Sequence, residues 1–245
     1  MKMQPTAVVV GVGSEEGLGA AVARRFARGG FHVLVGGRTM SKLEQVVAGL
    51  ADGNGTPVQV DATNEEDVLR LFELASSPGV GRSPASVVVF NAGNNQHIPF
   101  QEVSSAQFED FWRVGCLAGF LVGKEAANLM LPQRQGTIIF TGASGSLRGK
   151  PGYAHFAAAK AGLRMVSQSM AREFGPQGLH VAHVVIDGGI NGARLKNLRP
   201  DAVAQRGTDG LLNIDAIAET YWQLYLQHPT AWTHEIDLRP FKESF

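Results

Sequence analysis

A buried strand followed at once by a glycine-rich turn and a helix is the feature that most restricts how this chain can fold. The β-branched run Ala7–Val12 has the pattern of a strand buried on both faces. Gly13, Gly17 and Gly19 follow in the spacing G-x-x-x-G-x-G, and apolar residues recur at helical spacing over Gly17–Arg28. Glycines here allow the backbone to approach a pyrophosphate at a helix N-terminus, so the segment predicts a dinucleotide site, although an ordinary tight turn would also use them.

Strands and helices alternate along the rest of the chain. Further strands are predicted at Phe31–Val35, Pro57–Val60, Ser86–Phe90, Thr137–Thr141, His180–Ile186 and Glu235–Leu238, and helices at Ser41–Leu50, Asn64–Ala75, Ser105–Met130, Gly152–Phe174 and Ile214–Gln227. Ser41 and Asn64 are candidate N-caps. The alternation predicts an α/β protein with a doubly wound parallel sheet, right-handed crossovers and three α/β/α layers. We expect one domain over residues 1–245.

Composition and charge exclude several classes of function. In 245 residues, 44% are hydrophobic and 18% are charged, which is ordinary for a globular protein. The 22 basic and 22 acidic residues balance, and no basic run favours nucleic acid or an acidic membrane surface. The single Cys116 excludes an internal disulfide and fits a reducing compartment, and no histidine spacing predicts a metal site. Without a signal-peptide pattern or an apolar run of membrane-spanning length, we expect a cytoplasmic protein.

Further motifs follow the glycine turn in a fixed order. Asp61-Ala62 comes after the third predicted strand, Asn91-Ala92-Gly93 closes the fourth, and Lys160 lies in a predicted helix. Together with the glycine spacing, these motifs make residues 5–190 resemble the short-chain dehydrogenase/reductase family. The resemblance implies a Rossmann fold that binds a nicotinamide dinucleotide, with the acidic residue near adenine and the lysine near the nicotinamide ribose.

The end of the second predicted strand bears on the choice of cofactor. An NAD enzyme usually has a carboxylate there for the ribose 2′-hydroxyl, whereas this sequence has Gly36, Gly37 and Arg38. A guanidinium can pair with the 2′-phosphate of NADP, and the resemblance also implies NADP from a Gly-Arg pair. Glu15 and Glu16 argue against NADP, because NADP-preferring relatives often carry a basic residue in the glycine turn, but both could simply face solvent. NADP is predicted over NAD. The implied cofactor-binding residues are Gly13, Ser14, Gly17, Leu18, Gly19, Arg38, Asp61, Ala62, Asn91, Ala92, Gly93 and Lys160.

The catalytic positions are where this sequence departs from the family pattern. The family uses an Asn, a Ser, a Tyr and a Lys, and Lys160 matches the lysine of the Y-x-x-x-K segment. Its tyrosine position falls at Phe156, its serine position at Ala143 and its asparagine position at Cys116. The proline-glycine pair that usually follows the sixth strand is replaced by Asp187-Gly188.

These replacements are expected to slow alcohol–ketone chemistry. In the family the tyrosine exchanges a proton with the substrate oxygen, and such a group contributes roughly 10²–10⁴-fold in rate. The serine orients that oxygen, and the lysine lowers the tyrosine pKa and binds the nicotinamide ribose. Tyr153, His155, Ser144, Ser146 or Cys116 would have to substitute, but packing or local hydrogen bonding is the simpler role for each.

Two hypotheses about function remain from the sequence. The first is an NADP-dependent oxidoreductase with an unusual proton donor, acting on an unknown small carbonyl or alcohol. The second is a catalytically silent NADP-binding protein, such as a redox sensor or a partner subunit. Turnover of a carbonyl substrate distinguishes the two.

The C-terminal part adds a variable loop and an expectation about assembly. Residues 187–213 correspond to the substrate loop of the family. Its basic residues would suit either an anionic substrate or solvent, and they are Arg194, Lys196, Arg199 and Arg206. Family members commonly pair through the long fourth and fifth helices and the last strand, so the resemblance implies a homodimer or homotetramer.

Overall fold

A computed structural model describes residues 3–243, which fold around a seven-stranded sheet whose neighbouring strands all pair in parallel. The strands are β1 (Gln4–Val10), β2 (His32–Gly37), β3 (Gly55–Gln59), β4 (Arg82–Phe90), β5 (Gly136–Thr141), β6 (Leu179–Ile186) and β7 (Glu235–Leu238). Their order across the sheet is β3-β2-β1-β4-β5-β6-β7. The order reverses between β1 and β4, which opens a crevice at the carboxyl ends of these strands, where ligands bind in such sheets. The predicted α/β class and parallel doubly wound sheet are confirmed.

Helices cover both faces of this sheet. Within residues 3–243 they are α1 (Leu18–Arg28), α2 (Met40–Ala48), α3 (Glu65–Ser76), α4 (Ser105–Trp112), α5 (Ala118–Met130), α6 (Ala154–Phe174), α7 (Ala193–Leu198), α8 (Pro200–Arg206) and α9 (Ile214–Tyr225). Apolar residues of α1, α2 and α9 form one core with Val9, and those of α3, α5 and α6 form the other with Val8. Successive strand residues point to opposite faces, so neighbouring valines of β1 serve different cores. The three α/β/α layers follow from this packing.

Of the two predicted N-cap residues, one caps its helix in the structure and the other does not. Asn64 caps α3 as predicted, because its side chain accepts a hydrogen bond from the backbone nitrogen of Asp67. The prediction that Ser41 is an N-cap was wrong. α2 begins one residue earlier, after Thr39, and the Thr39 side chain makes no capping bond within the described residues.

Other helix and strand boundaries differ from the predicted ones. α6 begins at Ala154 rather than at Gly152, because Gly152 has a φ of +76° that a right-handed helix cannot contain. β4 begins at Arg82, four residues before the predicted start at Ser86. The region 187–213 contains α7 and α8, and helices of six and seven residues are too short for a helical period to be seen in the sequence.

The longest helical stretch, Ser105–Gln133, includes α4, a π-helical turn at Arg113–Leu117 and α5. By length and composition this stretch could cross a membrane, so the expectation that no apolar run is long enough was wrong. More than half of its most apolar window is buried inside the protein, as in the core helix of a globular protein. The π-helical turn replaces the continuous α-helix predicted over this region.

Asn64→Ala should lower the free energy of unfolding by about 1 kcal/mol, because it removes the oxygen that caps α3. Ser41→Ala is the matched control at an exposed helical position, and it should change the free energy by less than about 0.5 kcal/mol. Urea unfolding followed by circular dichroism measures both changes. Equal losses in the two variants would contradict this assignment of caps.

Candidate functional site

The glycine-rich turn after β1 lies tightly against the end of β4. Gly11 has a φ of +90°, and a Cβ on it would lie 2.3 Å from the backbone nitrogen of Ala92. A Cβ on Gly19 would lie 3.1 Å from both the Val12 Cα and the Asn91 Nδ2. The Asn91 side chain also donates to the carbonyl of Gly11 at 3.2 Å. These contacts join β1, α1 and β4 into one corner with no room for larger side chains.

The N-terminus of α1 opens from this corner. Gly17 is the N-cap residue, and no side chain in the described part of the chain caps the first turn. Gly17 also donates its N–H to the carbonyl of Ser14 at 2.9 Å, which closes the turn, and Leu18 is buried behind it. A Cβ on Gly13 would meet nothing within 4 Å among the described residues. Uncapped N–H groups and the helix dipole favour a phosphate at this place.

A cavity of about 400 Å³ lies beside the carboxyl ends of β2 and β3. It is lined by Arg38, Gln59, Asp61, Asp67 and Arg70. Arg38 is exposed, and its carbonyl accepts a hydrogen bond of 3.2 Å from the Gln59 side chain. Arg70 pairs with Asp67, whose other carboxylate oxygen accepts from the Asp61 nitrogen at 2.9 Å. The cavity therefore combines two guanidinium groups with two carboxylates.

Asp61 and Ala62, predicted near adenine, form part of this region. Asp61 Oδ1 accepts hydrogen bonds from the nitrogen and hydroxyl of Thr63, at 2.9 and 2.8 Å. Burial acts to raise the pKa of Asp61, but the Thr63 hydrogen bonds and the nearby Arg38 outweigh it, so the pKa lies below its ordinary value. Oδ2 makes no hydrogen bond within residues 3–243, whereas Ala62 is buried. An ionised acceptor thus remains at the edge of the cavity.

Lys160 lies beneath the Asn91–Gly93 segment that follows β4. Its Nζ donates to the carbonyl of Thr141 at 2.9 Å, and a Cβ on Gly93 would lie 3.2 Å from this nitrogen. Only 5% of Lys160 is exposed, and burial lowers its pKa from 10.5 to about 8. The fold therefore brings the predicted lysine and the predicted β4 segment together.

Phe156 and the turn after β5 form the neighbouring wall. Phe156 is half-buried, and its ring lies against Gly145 in the 3-10 turn Ser144–Ser146. Ala143 precedes this turn, and the Ser146 hydroxyl donates to its carbonyl at 2.6 Å. Among the described residues, Phe156 belongs to neither hydrophobic core. Phe156 thus packs on the turn that Ala143 precedes, and the match of these two residues to the tyrosine and serine of the family stays a prediction.

Two aromatic side chains near Phe156 are held by other contacts. Tyr153 is the N-cap residue of α6 and packs edge-on against His97, with ring centroids 5.4 Å apart. His155 is buried against Phe111, and its Nε2 lies 3.1 Å from the Gln96 carbonyl. Both rings therefore bridge α6 to the loop after β4.

Cys116 lies inside the π-helical turn between α4 and α5. It is buried, and a Cβ on Gly162 of α6 would lie 2.7 Å from its Sγ. Burial raises the pKa of the thiol, so Cys116 stays protonated and packs as a small core residue. A π-helical turn is frequent at functional sites, but no local sequence pattern predicted it here.

Helix α7 makes contacts across the crevice that the sequence did not predict. Arg194 of α7 donates to the carbonyls of Gly93 and Asn95, at 3.4 and 3.0 Å. Lys196 of the same helix pairs with Glu16 in the glycine turn at 3.2 Å. Arg194 and Lys196 thus join the glycine turn to the end of β4, and pairs this distant in sequence leave no local pattern.

A parallel sheet whose order reverses at β1 and β4, with a glycine turn and an uncapped helix at that point, defines a nucleotide-binding Rossmann fold. The family model for short-chain dehydrogenases matches residues 6–202. The chain therefore belongs to the short-chain dehydrogenase family. Members of this family are oxidoreductases that bind NAD or NADP, act on small molecules and commonly oligomerise.

Individual relatives agree with this assignment. A crystal structure of a short-chain dehydrogenase from Rhodopseudomonas palustris is 39% identical, with a TM-score of 0.80 over 97% of this chain and 99% of that one. An uncharacterised oxidoreductase of Bacillus subtilis is 30% identical over 188 residues, which are 75% of this chain and 27% of that protein. A gluconate 5-dehydrogenase of Gluconobacter oxydans is 27% identical over 170 residues, 69% of this chain and 66% of that enzyme. The chain thus spans less than two thirds of these two curated relatives.

Lys160 should titrate with a midpoint near pH 8, because its burial disfavours the charged form. Between pH 8 and 10.5 the unfolded chain binds the proton that the folded chain has lost, so the free energy of unfolding should rise with pH relative to Lys160→Met. NMR of ¹³Cε-labelled lysine gives the midpoint, and the signal missing from Lys160→Met assigns it. A midpoint at the ordinary value of about 10.4 would contradict the burial.

Proposed function

We propose that this chain is an NADP-binding oxidoreductase of one Rossmann domain, acting on a small carbonyl or alcohol with a catalytic set reduced to Lys160. The observation that carries the proposal is the buried Lys160 beneath Gly93, one helical turn after Phe156 rather than after a tyrosine. An amine at that position can hydrogen-bond the ribose hydroxyls of the cofactor, whereas a phenyl ring has no proton to exchange. Cofactor binding is thereby kept and acid–base catalysis is weakened.

The preference for NADP rests on charge beside the end of β2. Gly36 and Gly37 end that strand without a carboxylate, and Arg38 lies exposed at the edge of the 400 Å³ cavity. Glu16, which would oppose a 2′-phosphate, is paired with Lys196 instead. An actinorhodin polyketide ketoreductase and a serine dehydrogenase of the same fold were solved with NADPH and NADP⁺, at 19% and 20% identity.

The weakened chemistry rests on three side chains. Phe156 packs on the turn after β5, Ala143 precedes that turn, and neither carries an ionisable group, whereas Cys116 is buried and protonated. A missing general acid lowers the rate by roughly 10²–10⁴-fold, and a missing oxygen-polarising donor acts on a similar scale. Hydride transfer by proximity alone would then set the remaining rate.

A catalytically silent NADP-binding protein is the second candidate, acting as a redox sensor or a partner subunit. This candidate is favoured by the same two replacements, because Phe156 and Ala143 lack the hydroxyl groups of the tyrosine and serine in the family pattern. It shares the cofactor site with the first candidate and differs in turnover alone.

A homodimer or homotetramer is the proposed assembly. Four large apolar side chains on α4, α5 and α6 are 40–51% exposed, namely Phe108, Trp112, Phe120 and Met165. Apolar side chains grouped on neighbouring helices favour burial against a second copy of the chain.

Arg38→Asp should reverse the preference for NADPH over NADH, because it replaces a guanidinium by a carboxylate that repels the 2′-phosphate and can accept from a ribose hydroxyl. Affinity for NADPH should fall roughly 10- to 100-fold, measured by calorimetry. Lys42→Asp makes the same change of charge at an exposed position in α2 and should leave the preference intact. Equal affinity of the unmodified protein for both cofactors would refute the NADP assignment.

Phe156→Tyr combined with Ala143→Ser should raise the NADPH-dependent reduction of 2,3-butanedione. The two hydroxyls act on one oxygen, so the double change should exceed the product of the single ones. Both single variants and Tyr153→Phe serve as controls, with NADPH consumption as the measurement. NADPH binding without any turnover in the double variant would favour the silent protein. Fast turnover by the unmodified protein, undiminished by Phe156→Ala and Tyr153→Phe, would overturn the reduced catalytic set.

A further inference from the structure

A buried carboxylate, Asp187, directly follows β6, at the carboxyl ends of the strands where the candidate site also lies. Asp187 is 1% exposed, and both of its oxygens lie 2.8 Å from Nη2 of Arg148. Nη2 of Arg239 lies 2.8 Å from Oδ2 as well. Burial acts to raise the pKa of Asp187, but hydrogen bonds from Arg148 and Ser144 outweigh it, so the pKa lies below its ordinary value. Asp187 is therefore an ionised group that holds two guanidinium groups.

Arg148 keeps hydrogen-bonding capacity beyond this pair. Its side chain is 38% exposed, against 2% for that of Asp187. A single nitrogen, Nη2, makes both contacts with Asp187, and within residues 3–243 Nε and Nη1 of Arg148 make no hydrogen bond. A guanidinium carries five donors in a rigid fork. The buried carboxylate thus fixes the orientation of Arg148 and leaves donors for another acceptor.

The turn that carries Arg148 is the turn of the candidate site. The backbone nitrogen of Arg148 donates to the carbonyl of Ser144 at 3.1 Å. Ser144 follows Ala143, and the ring of Phe156 lies on Gly145, the residue after Ser144. Arg148 therefore belongs to the turn against which Phe156 packs, close in the chain to the position predicted to match the serine of the family.

The unused donors of Arg148, rather than an unbalanced charge, favour an anionic ligand. Asp237 pairs with Arg239 at 3.1 Å, and Asp237 and Glu243 also act on the charge of Arg148. The side chains of Arg148 and Asp237 are 38% and 41% exposed, so solvent screens their charges. A ligand on the solvent side of Arg148 would therefore gain mainly from hydrogen bonds to its Nε and Nη1.

We propose that Arg148 binds a carboxylate of the substrate, so that the protein takes an oxo acid or the corresponding hydroxy acid. The planar fork of a guanidinium matches the two oxygens of a carboxylate, which makes the contact charge-assisted and oriented. The proposal rests on the proposed function, because it needs a small carbonyl or alcohol in the crevice. It depends on Asp187, which stands where the family pattern has proline.

The test compares 4-oxopentanoate with its methyl ester, which share a ketone and differ in the carboxylate. Calorimetry with the full chain, first titrated with NADP⁺ and then with each probe, measures binding without requiring turnover. The unmodified protein should bind 4-oxopentanoate more tightly than the ester, and Arg148→Gln should lose roughly 10- to 100-fold of the affinity for the acid alone. Arg148→Lys, which keeps the charge without the fork, should lose less.

Lys150→Gln is the matched control, because it removes an exposed cation two residues further along the same loop. It should leave the affinity for 4-oxopentanoate unchanged, and an equal loss in Lys150→Gln would show diffuse attraction and overturn the proposal. Equal binding of the acid and the ester to the unmodified protein would overturn it too. The NADP⁺ titration reports separately on the proposed function. If NADP⁺ does not bind but the acid binds through Arg148, the cofactor assignment fails and the carboxylate site stands.

Discussion

The close approach of Gly11 to Ala92 is the contact on which the arrangement of the crevice depends. It lies where the order of strands reverses, so the chain must leave β1 and β4 in different directions within one short corner. Because a Cβ on Gly11 would lie 2.3 Å from a backbone nitrogen, only glycine allows the two segments to touch. This contact fixes where α1 begins. It also places Gly93 above Lys160. One glycine thus couples the phosphate end of the crevice to its lysine.

Lys160 is suited to holding a cofactor by its burial as much as by its position. Its Nζ donates to the Thr141 carbonyl, while the Thr141 hydroxyl lies 2.9 Å from the hydroxyl of buried Tyr221, so the acceptor is itself held in place. With a pKa of about 8, a sizeable share of the amine is neutral at pH 8, and a neutral amine can both donate and accept a hydrogen bond. In a site with a tyrosine, the cationic form would serve to lower the phenol pKa. Beside Phe156 that demand is absent, and hydrogen bonding to a ribose is the role that the proposed function assigns to the group.

Regular local patterns in the sequence predicted the fold. The features that were not predicted depend on contacts between residues that are far apart in the chain. The glycine spacing and the buried valines of β1 have local signatures, and so does the cap at Asn64, because each depends on neighbouring residues. The π-helical turn at Cys116 has none, and the residue against which Cys116 packs, Gly162, lies on another helix. Arg148 and Asp187 are 39 residues apart, and nothing in either segment indicates that the other lies opposite.

The basic residues of the variable loop show how such pairings change a functional interpretation. From sequence they suited either an anionic substrate or solvent, but Arg194 is bound to backbone carbonyls, Lys196 to Glu16 and Arg206 to Glu243. A guanidinium or ammonium already paired in this way must break a contact before it can receive a ligand, which reduces the net gain. These cations are therefore engaged within the protein, and Arg194 and Lys196 hold the loop across the crevice. Arg148 differs from these cations, because its partner Asp187 is buried and its Nε and Nη1 make no hydrogen bond within residues 3–243. We therefore assign the recognition of a substrate charge to Arg148.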